Sequence, residues 1–442
     1  MLKKQLKETL TLAWPIIISQ LMGVAMGTID TIMVGRVGSR PLAAMAMANT
    51  LLYFSFVFCF GVLNALNPLI SERFGAKKLE EIPSLVRQGF RLALLFAVMA
   101  IALFYFSKPV FIVMKQQIEL IDLGRDYLSY VAWGMPQLFC FLVMRLFMES
   151  VSDPKPSMYA SLLGIMLNIG FNYVLIYGHF GFPAMGVRGA GLATSIVHTA
   201  MFVFSLIYIQ TSHKYKDLRV LNGPYSTDWV MIKKILAVGL PFGLSWTSEI
   251  VFFIFTSLLV GMLGHMELAA HHVAINFCAT VFMFCAGIAM AVSVQIGQAR
   301  GRGDWHLIRG HATLGYGLVV VIGLFFAMLI FSIPDAVAKI YTRDVDLVNM
   351  AKPLLLIGAF FLVTDGGQAM GMNSLKGMKD TRVPMINSIF SYWLVGVPIC
   401  YVLCFHFNLR QEGVWWGMVV SLTVAAAMHA ARFYWITRKR VA

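Results

Sequence analysis

A chain of 442 residues in which 59% of side chains are hydrophobic and 13% charged, with a mean hydropathy of +0.76, is not an ordinary soluble globule, where about one residue in four is charged. The formal charge of +14 raises nucleic acid as a partner, but the basic residues are scattered between long apolar runs. The six cysteines, Cys59, Cys140, Cys278, Cys285, Cys400 and Cys404, all lie inside such runs and form no CxxC pair, which excludes a disulfide framework and a thiolate metal site.

A helix crossing the bilayer needs about 20 predominantly apolar residues. Twelve segments meet that need, in chain order 13–35, 45–70, 89–112, 124–149, 156–178, 187–210, 235–263, 268–297, 312–333, 352–375, 384–405 and 414–436. The first follows basic residues but is too long for a secretory signal. The segments are continuously apolar, not alternating with period two, so an outer-membrane barrel is excluded. The expected fold is an all-α integral membrane protein with twelve transmembrane helices in two six-helix lobes.

Placing the N-terminus and the even-numbered loops on one side puts 24 of the 35 Lys and Arg there and ten on the other, with Arg145 inside the fourth segment. This asymmetry orients both termini to the cytoplasm and accounts for the basic excess without nucleic acid.

The two halves repeat. "MVGRVGSRPLAA" at 33–44 matches "LVGMLGHMELAA" at 259–270, Pro15 matches Pro241 and Gly89 matches Gly315, all with a shift of 226; Asp153 matches Asp380 at 227. Six helices per copy make the repeat parallel, with its axis along the membrane normal. The expected domains are an N-terminal lobe, 1–210, a cytoplasmic linker, 211–234, and a C-terminal lobe, 235–442. Gly23 with Gly27 and Gly367 with Gly371 are expected at close helix contacts.

Three acids interrupt the apolar runs. Glu249 and Asp365 are central in their helices, roughly 16–21 Å from either end, and Asp30 lies about 9 Å from Arg36 near the outer end of the first helix. A charge at this depth costs a few kcal/mol and normally faces a cavity or a partner. Glu249 and Asp365 share one half that has no Lys or Arg at matching depth. Burial and mutual repulsion disfavour two carboxylates, so a bound proton or small cation, sodium included, is the natural counter-charge. Ser245, Ser248 and Thr364 can add oxygens. The alternative is that each acid stays protonated and hydrogen-bonds a neighbouring helix. In the first half Asn168 and Asn172, four apart, share a helix face; with Asn64 and Asn67 they form either a polar pocket around Asp30 or interhelical amide contacts. Arg145 and Glu149, also four apart, read as a self-neutralising structural pair, and the adjacent His271 and His272 point apart and make a poor metal site.

With its twelve segments, its parallel repeat, "DTIMVGRVG" at 30–38, the mid-helix Glu249 and "TDGGQAMGMNSLKGMKDTRVPM" at 364–385, the chain resembles the multidrug and toxic compound extrusion (MATE) transporters over essentially its whole length. The resemblance implies two six-helix lobes in a bacterial inner membrane, exporting organic cations in exchange for inward sodium ions or protons, with no enzymatic activity and no cofactor. It implies Glu249 and Asp365, aided by Ser245 and Thr364, as the cation site, with sodium as a possible metal, and Asp30, Asn168 and Asn172 as substrate contacts. A monomer in direct contact with the lipid bilayer is expected. Phe361 stands where some sodium-coupled members place a tyrosine, and Asn172 where some proton-coupled members place an acid; the second lobe is therefore the favoured cation site. A flippase for a lipid-linked precursor would need basic cavity residues, for which only Arg145 is available. An intramembrane enzyme is the other rival, and no HExxH, P-loop or GxSxG pattern supports it.

Overall fold

The computed structural model describes residues 2–113, 117–216, 218, 220 and 227–441. Among them all regular structure is helical. In chain order the spans are α1 (Lys3–Gly35), α2 (Ser39–Gly75), α3 (Leu79–Tyr105), α4 (Ile118–Ala132 with Met135–Ser150), α5 (Lys155–Tyr177), α6 (Val187–Thr211), α7 (Trp229–Gly261), α8 (His265–Arg302), α9 (Trp305–Ser332), α10 (Val345–Gly377), α11 (Arg382–His406) and α12 (Arg410–Arg438). Eleven are single helices long and apolar enough to cross a membrane, and α4 is a pair bent by 50°.

Several helices outrun the apolar segments read from sequence. α8 has 38 residues, which at 1.5 Å each makes it about 57 Å long, against a hydrocarbon core of about 30 Å. Its added turns carry Gln298, Arg300 and Arg302, residues whose straight side chains lose little freedom in a helix and need no lipid. α7 likewise opens at Trp229, inside the stretch expected as linker. Of that linker, residues 217, 219 and 221–226 lie outside the described residues.

The breaks have chemical causes. Pro136 has no N–H, and its ring crowds the carbonyl of Ala132, so α4 breaks at Trp133 and Gly134. Ser195 of α6 donates its hydroxyl to the carbonyl of Tyr130 at 2.6 Å, partly replacing the lost ladder. In α11, π-helical turns at Phe390–Gly396 and Val402–His406 flank Pro398.

The repeat is visible in the backbone. Gly38 has φ 153° and ψ 168°, and Gly264, its counterpart, has φ 152° and ψ 168°, a conformation open almost only to glycine. Ser152 and its counterpart Lys379 both have φ 62°. Gly89 packs against Leu66 and Val143, and Gly315 against Val292 and Met370, which are the equivalent positions of the second copy.

The chain forms two compact units, one of Met1–Ile17 with Leu240–Ala442 and one of Ile18–Gly239. These boundaries differ from the expected 1–210 and 235–442. In the first unit the opening of α1 packs on α8 and α9: Thr9 Oγ1 donates to Gln295 Oε1 at 2.9 Å, and Ile17 lies against Gly287. In the second, Gly239 lies against the Val62 carbonyl of α2. Both crossing points fall within two residues of a helix-weakening proline, Pro15 or Pro241. The first unit has a large apolar core that includes Phe252, Phe361, Tyr392 and Trp415. Gly23 and Gly27 do not mark a close contact, since a Cβ on either would meet nothing within 4 Å; Gly371, by contrast, lies against His429 and Tyr316.

A Cβ at Gly315 would stand 2.8 Å from Val292 and 2.9 Å from Met370. Gly315→Val is therefore expected to destabilise the protein by about 1–3 kcal/mol through overpacking, read as a lower Tm in detergent. Gly317→Val, at a position facing open space, serves as the comparison and keeps a Tm near that of the parent.

Candidate functional site

α7 and α10 bring Glu249 and Asp365 into one unit, at 6% and 5% exposure. Gln368, one turn after Asp365, donates its amide N–H to Glu249 Oε2 at 3.4 Å and to the Tyr392 hydroxyl at 2.8 Å. Tyr392 thus shares the Gln368 amide with Glu249. Its ring stacks on Phe252 at 5.3 Å, and the whole side chain is buried. The hydrogen-bond partner recorded for Glu249, the Gln368 amide, is neutral, and neither acid is paired with a lysine or arginine among the described residues.

Ser245, one turn before Glu249, is buried with its Oγ unpartnered, as is Asp365 Oδ1. Two carboxyls with neighbouring neutral oxygens suit a hard, small cation or a proton. Thr364 is placed differently: its hydroxyl donates to the carbonyls of Phe360 and Phe361 in its own helix, at 3.3 and 3.0 Å. Ser248 accepts from Trp393 Nε1 at 2.9 Å. Phe361, at the position noted from sequence, packs edge-on against Trp415 with ring centroids 5.5 Å apart, so it serves the core.

In the other unit α5 presents two amides to Asp30. Asn168 Nδ2 and Asn172 Nδ2 both donate to Asp30 Oδ1, at 2.8 and 2.6 Å. The four-residue spacing produces this, since both side chains leave the same face of α5. Their own amide oxygens are buried without partners. Tyr127 of α4 lies near Asp30 and donates to Asn49 Oδ1 at 3.0 Å. The structure records no hydrogen bond from Asn64 or Asn67 to Asp30, and the Asn67 side chain is buried without any partner.

Arg145 Nε meets Glu149 Oε1 at 2.7 Å and its guanidinium reaches Gln20 at 2.9 Å, a closed ion pair as its spacing predicts. His271 is buried and His272 exposed. Trp415 Nε1, a donor only, reaches His271 Nδ1 at 3.2 Å; the hydrogen of His271 is therefore on Nε2, which meets Ser257 Oγ at 3.0 Å. No group of three or more His, Cys, Asp or Glu suited to a metal occurs among the described residues.

Two residues escaped the sequence reading. Gln368 was within reach of it, as the one amide in "GGQAMGM", three residues after Asp365 and so on the same face. Tyr392 was not, because in "SIFSYWLVG" it looks like any packing aromatic, and its direction depends on a π-helical turn that no spacing announces.

A family model described as MatE matches this chain twice, over residues 15–174 and 241–402, each match opening on one of the paired prolines. The chain is 33% identical over 442 residues to the multidrug resistance protein MdtK of Edwardsiella ictaluri, covering 99% of this chain and 96% of that one. It is 35% identical over 436 residues to the multidrug resistance protein PmpM of Pseudomonas aeruginosa, covering 98% and 91%. Its fold superposes with a TM-score of 0.89, at 21% identity and with 98% and 96% of the two chains covered, on an outward-facing multidrug resistance MATE family transporter of the MOP superfamily. The chain thus belongs to the MatE family, as a bacterial multi-pass membrane transporter and not an enzyme.

Proposed function

We propose that the protein exports small organic cations across the bacterial inner membrane in exchange for sodium ions or protons that enter through the region of Glu249 and Asp365. The observation that carries this reading is the pair of buried carboxyls with no basic partner, Glu249 met by the neutral Gln368 amide and Asp365 Oδ1 by no donor, since intramembrane acids left without a base mark ion pathways. The names of the full-length relatives, multidrug resistance proteins, support export of varied small molecules. An incoming cation drives the cycle only if it binds one conformation better than the other. Release of that cation to the opposite side then returns the carboxyl pair to its starting charge.

Asp30, Asn168 and Asn172 are the proposed substrate contacts. One carboxyl held by two amides keeps its negative charge in place without cancelling it, which suits a monovalent organic cation. The transporter works as a monomer with both termini in the cytoplasm, as the distribution of Lys and Arg directs, and needs no cofactor. The flippase alternative is disfavoured by Arg145, whose guanidinium is already tied to Glu149 and Gln20 and is not offered to a pyrophosphate.

The test uses proteoliposomes, with efflux of a fluorescent cation driven by a sodium gradient or a pH gradient. Glu249→Gln and Asp365→Asn are each expected to lower the ion-driven rate about tenfold or more, because removing either charge removes the need for a counter-ion. If both variants insert and transport at the parental rate under either gradient, the assignment of the ion site is wrong.

Asp30→Asn is expected to raise the KM for a cationic substrate about fivefold while leaving half-saturation by the driving ion unchanged. An equal effect on a neutral substrate would count against a charge-based contact at Asp30.

A further inference from the structure

His429 of α12 takes no part in the sites described so far, yet its side chain is buried. Its Nε2 lies 3.3 Å from the Pro384 carbonyl of α11. A carbonyl only accepts, so the ring hydrogen is on Nε2 and Nδ1 carries a lone pair. That Nδ1 is buried and meets no donor. The Tyr316 hydroxyl of α9 is likewise buried without a partner. Buried polar atoms are normally paired, so two orphans in one place call for a reason.

Both groups converge on Gly371 of α10. A Cβ there would stand 2.7 Å from Tyr316 Oη and 2.7 Å from the Cβ of His429, so glycine is what admits a phenol and an imidazole to the same stretch of helix backbone. Oη offers a hydrogen and Nδ1 accepts one; a water bonded to both satisfies the pair. Gly371 is six residues past Asp365, about 9 Å along α10, toward the end that the distribution of Lys and Arg assigns to the cytoplasm. The ring meets Tyr316 from α9, Gly371 from α10 and the Pro384 carbonyl from α11, and it forms no ion pair among the described residues. Arg432, three residues on in α12, is held by Asp380 at 2.8 Å.

We propose that His429, with Tyr316 beside it, is a proton relay through which the coupling ion, a proton, passes from the region of Asp365 to the cytoplasm. This rests on the antiport reading given above and narrows its ion to the proton. A proton leaving the carboxyl pair adds to the Nδ1 lone pair and makes the ring an imidazolium. The same proton then leaves Nδ1 for water on the cytoplasmic side, and the neutral ring remains with its Nε2 hydrogen on Pro384. No other reactant is consumed. Sodium gains nothing from such a station, because hard cations take oxygen ligands, whereas imidazole is the side chain suited to taking up and returning a proton.

The experiment uses the full-length protein in proteoliposomes and two readouts. One is efflux of a fluorescent cation driven by a pH gradient; the other is exchange of labelled for unlabelled substrate at equal pH, which needs no net proton movement. His429→Gln keeps an N–H for the Pro384 carbonyl but cannot take up a proton. It is expected to lower pH-driven efflux about tenfold or more, as loss of a proton-transferring group does, with exchange unchanged and the Tm near parental. Tyr316→Phe removes only the hydroxyl and lowers the same rate about threefold, the scale of one neutral hydrogen bond; it is read in place of His429→Gln if that variant is not recovered folded. A sodium gradient at equal pH is expected to drive no efflux in the parent. Three results overturn the relay: parental pH-driven efflux in both variants, an equal loss of exchange, which marks a purely structural histidine, or sodium-driven efflux in the parent. Each leaves antiport standing if Glu249→Gln and Asp365→Asn still abolish coupling. Parental transport in those two acid variants overturns the antiport reading itself.

Discussion

A carboxyl group in the middle of a bilayer has to be satisfied from inside the protein, and the kind of partner decides what it is able to do. Insertion of such a residue costs about 2.5–3.5 kcal/mol on translocon scales. Glu149, near the end of α4, is met by a full opposite charge, Arg145 at 2.7 Å, and is thereby closed to exchange. Asp30 and Glu249 are met by amides, which satisfy lone pairs but carry no net charge. Neutral donors leave each site one positive charge short, and that deficit is what an ion or a cationic substrate fills.

The repeat supplies the scaffold for these sites but does not duplicate them. The position equivalent to Glu249 in the first half is Gly23, that of Asp365 is Leu138, and that of Asp30 in the second half is Thr256. What the copies share is geometry, as in the glycine turns at Gly38 and Gly264 and the packed helix crossings at Gly89 and Gly315. The common geometry sets the first helix of each half against its fifth, and the side chains placed along that contact differ. One fold is then able to carry two unlike polar sites.

How far the structure was readable beforehand follows from what each feature depends on. Helix number depends on local composition and stands in the sequence, whereas the segment read as one span over 124–149 is broken before Pro136. The pairing of Arg145 with Glu149, and the shared face of Asn168 and Asn172, follow from helical spacing alone. The allocation of residues 1–17 was not readable, because it depends on where a long helix passes from one packing environment to another; only Pro15 hints at the place. Thr364 lies next to Asp365 in the chain, yet its hydroxyl turns back to its own helix, as adjacent residues on a helix diverge. Tyr392 depended on a local change of helix type that has no sequence period.

The ends of the fourth span in each half show why depth governs how freely the chemistry varies. Asp153 follows Ser152, and Asp380 follows Lys379, in matching backbone conformations. Asp153 accepts from the Tyr215 hydroxyl at 2.7 Å and from Lys214 at 3.2 Å, and burial followed by that bond pushes the Tyr215 phenol above its ordinary value. Asp380 is met instead by Arg432 at 2.8 Å. Both acids lie at helix ends beyond the apolar spans, where a phenol, an ammonium or a guanidinium serves each as a partner. Glu249 and Asp365 are buried at mid-helix, and there the same substitution of partner changes the net charge of the site. A guanidinium in the place of the Gln368 amide would close Glu249 as Arg145 closes Glu149, which is why a neutral donor at that one position keeps the site open to an ion.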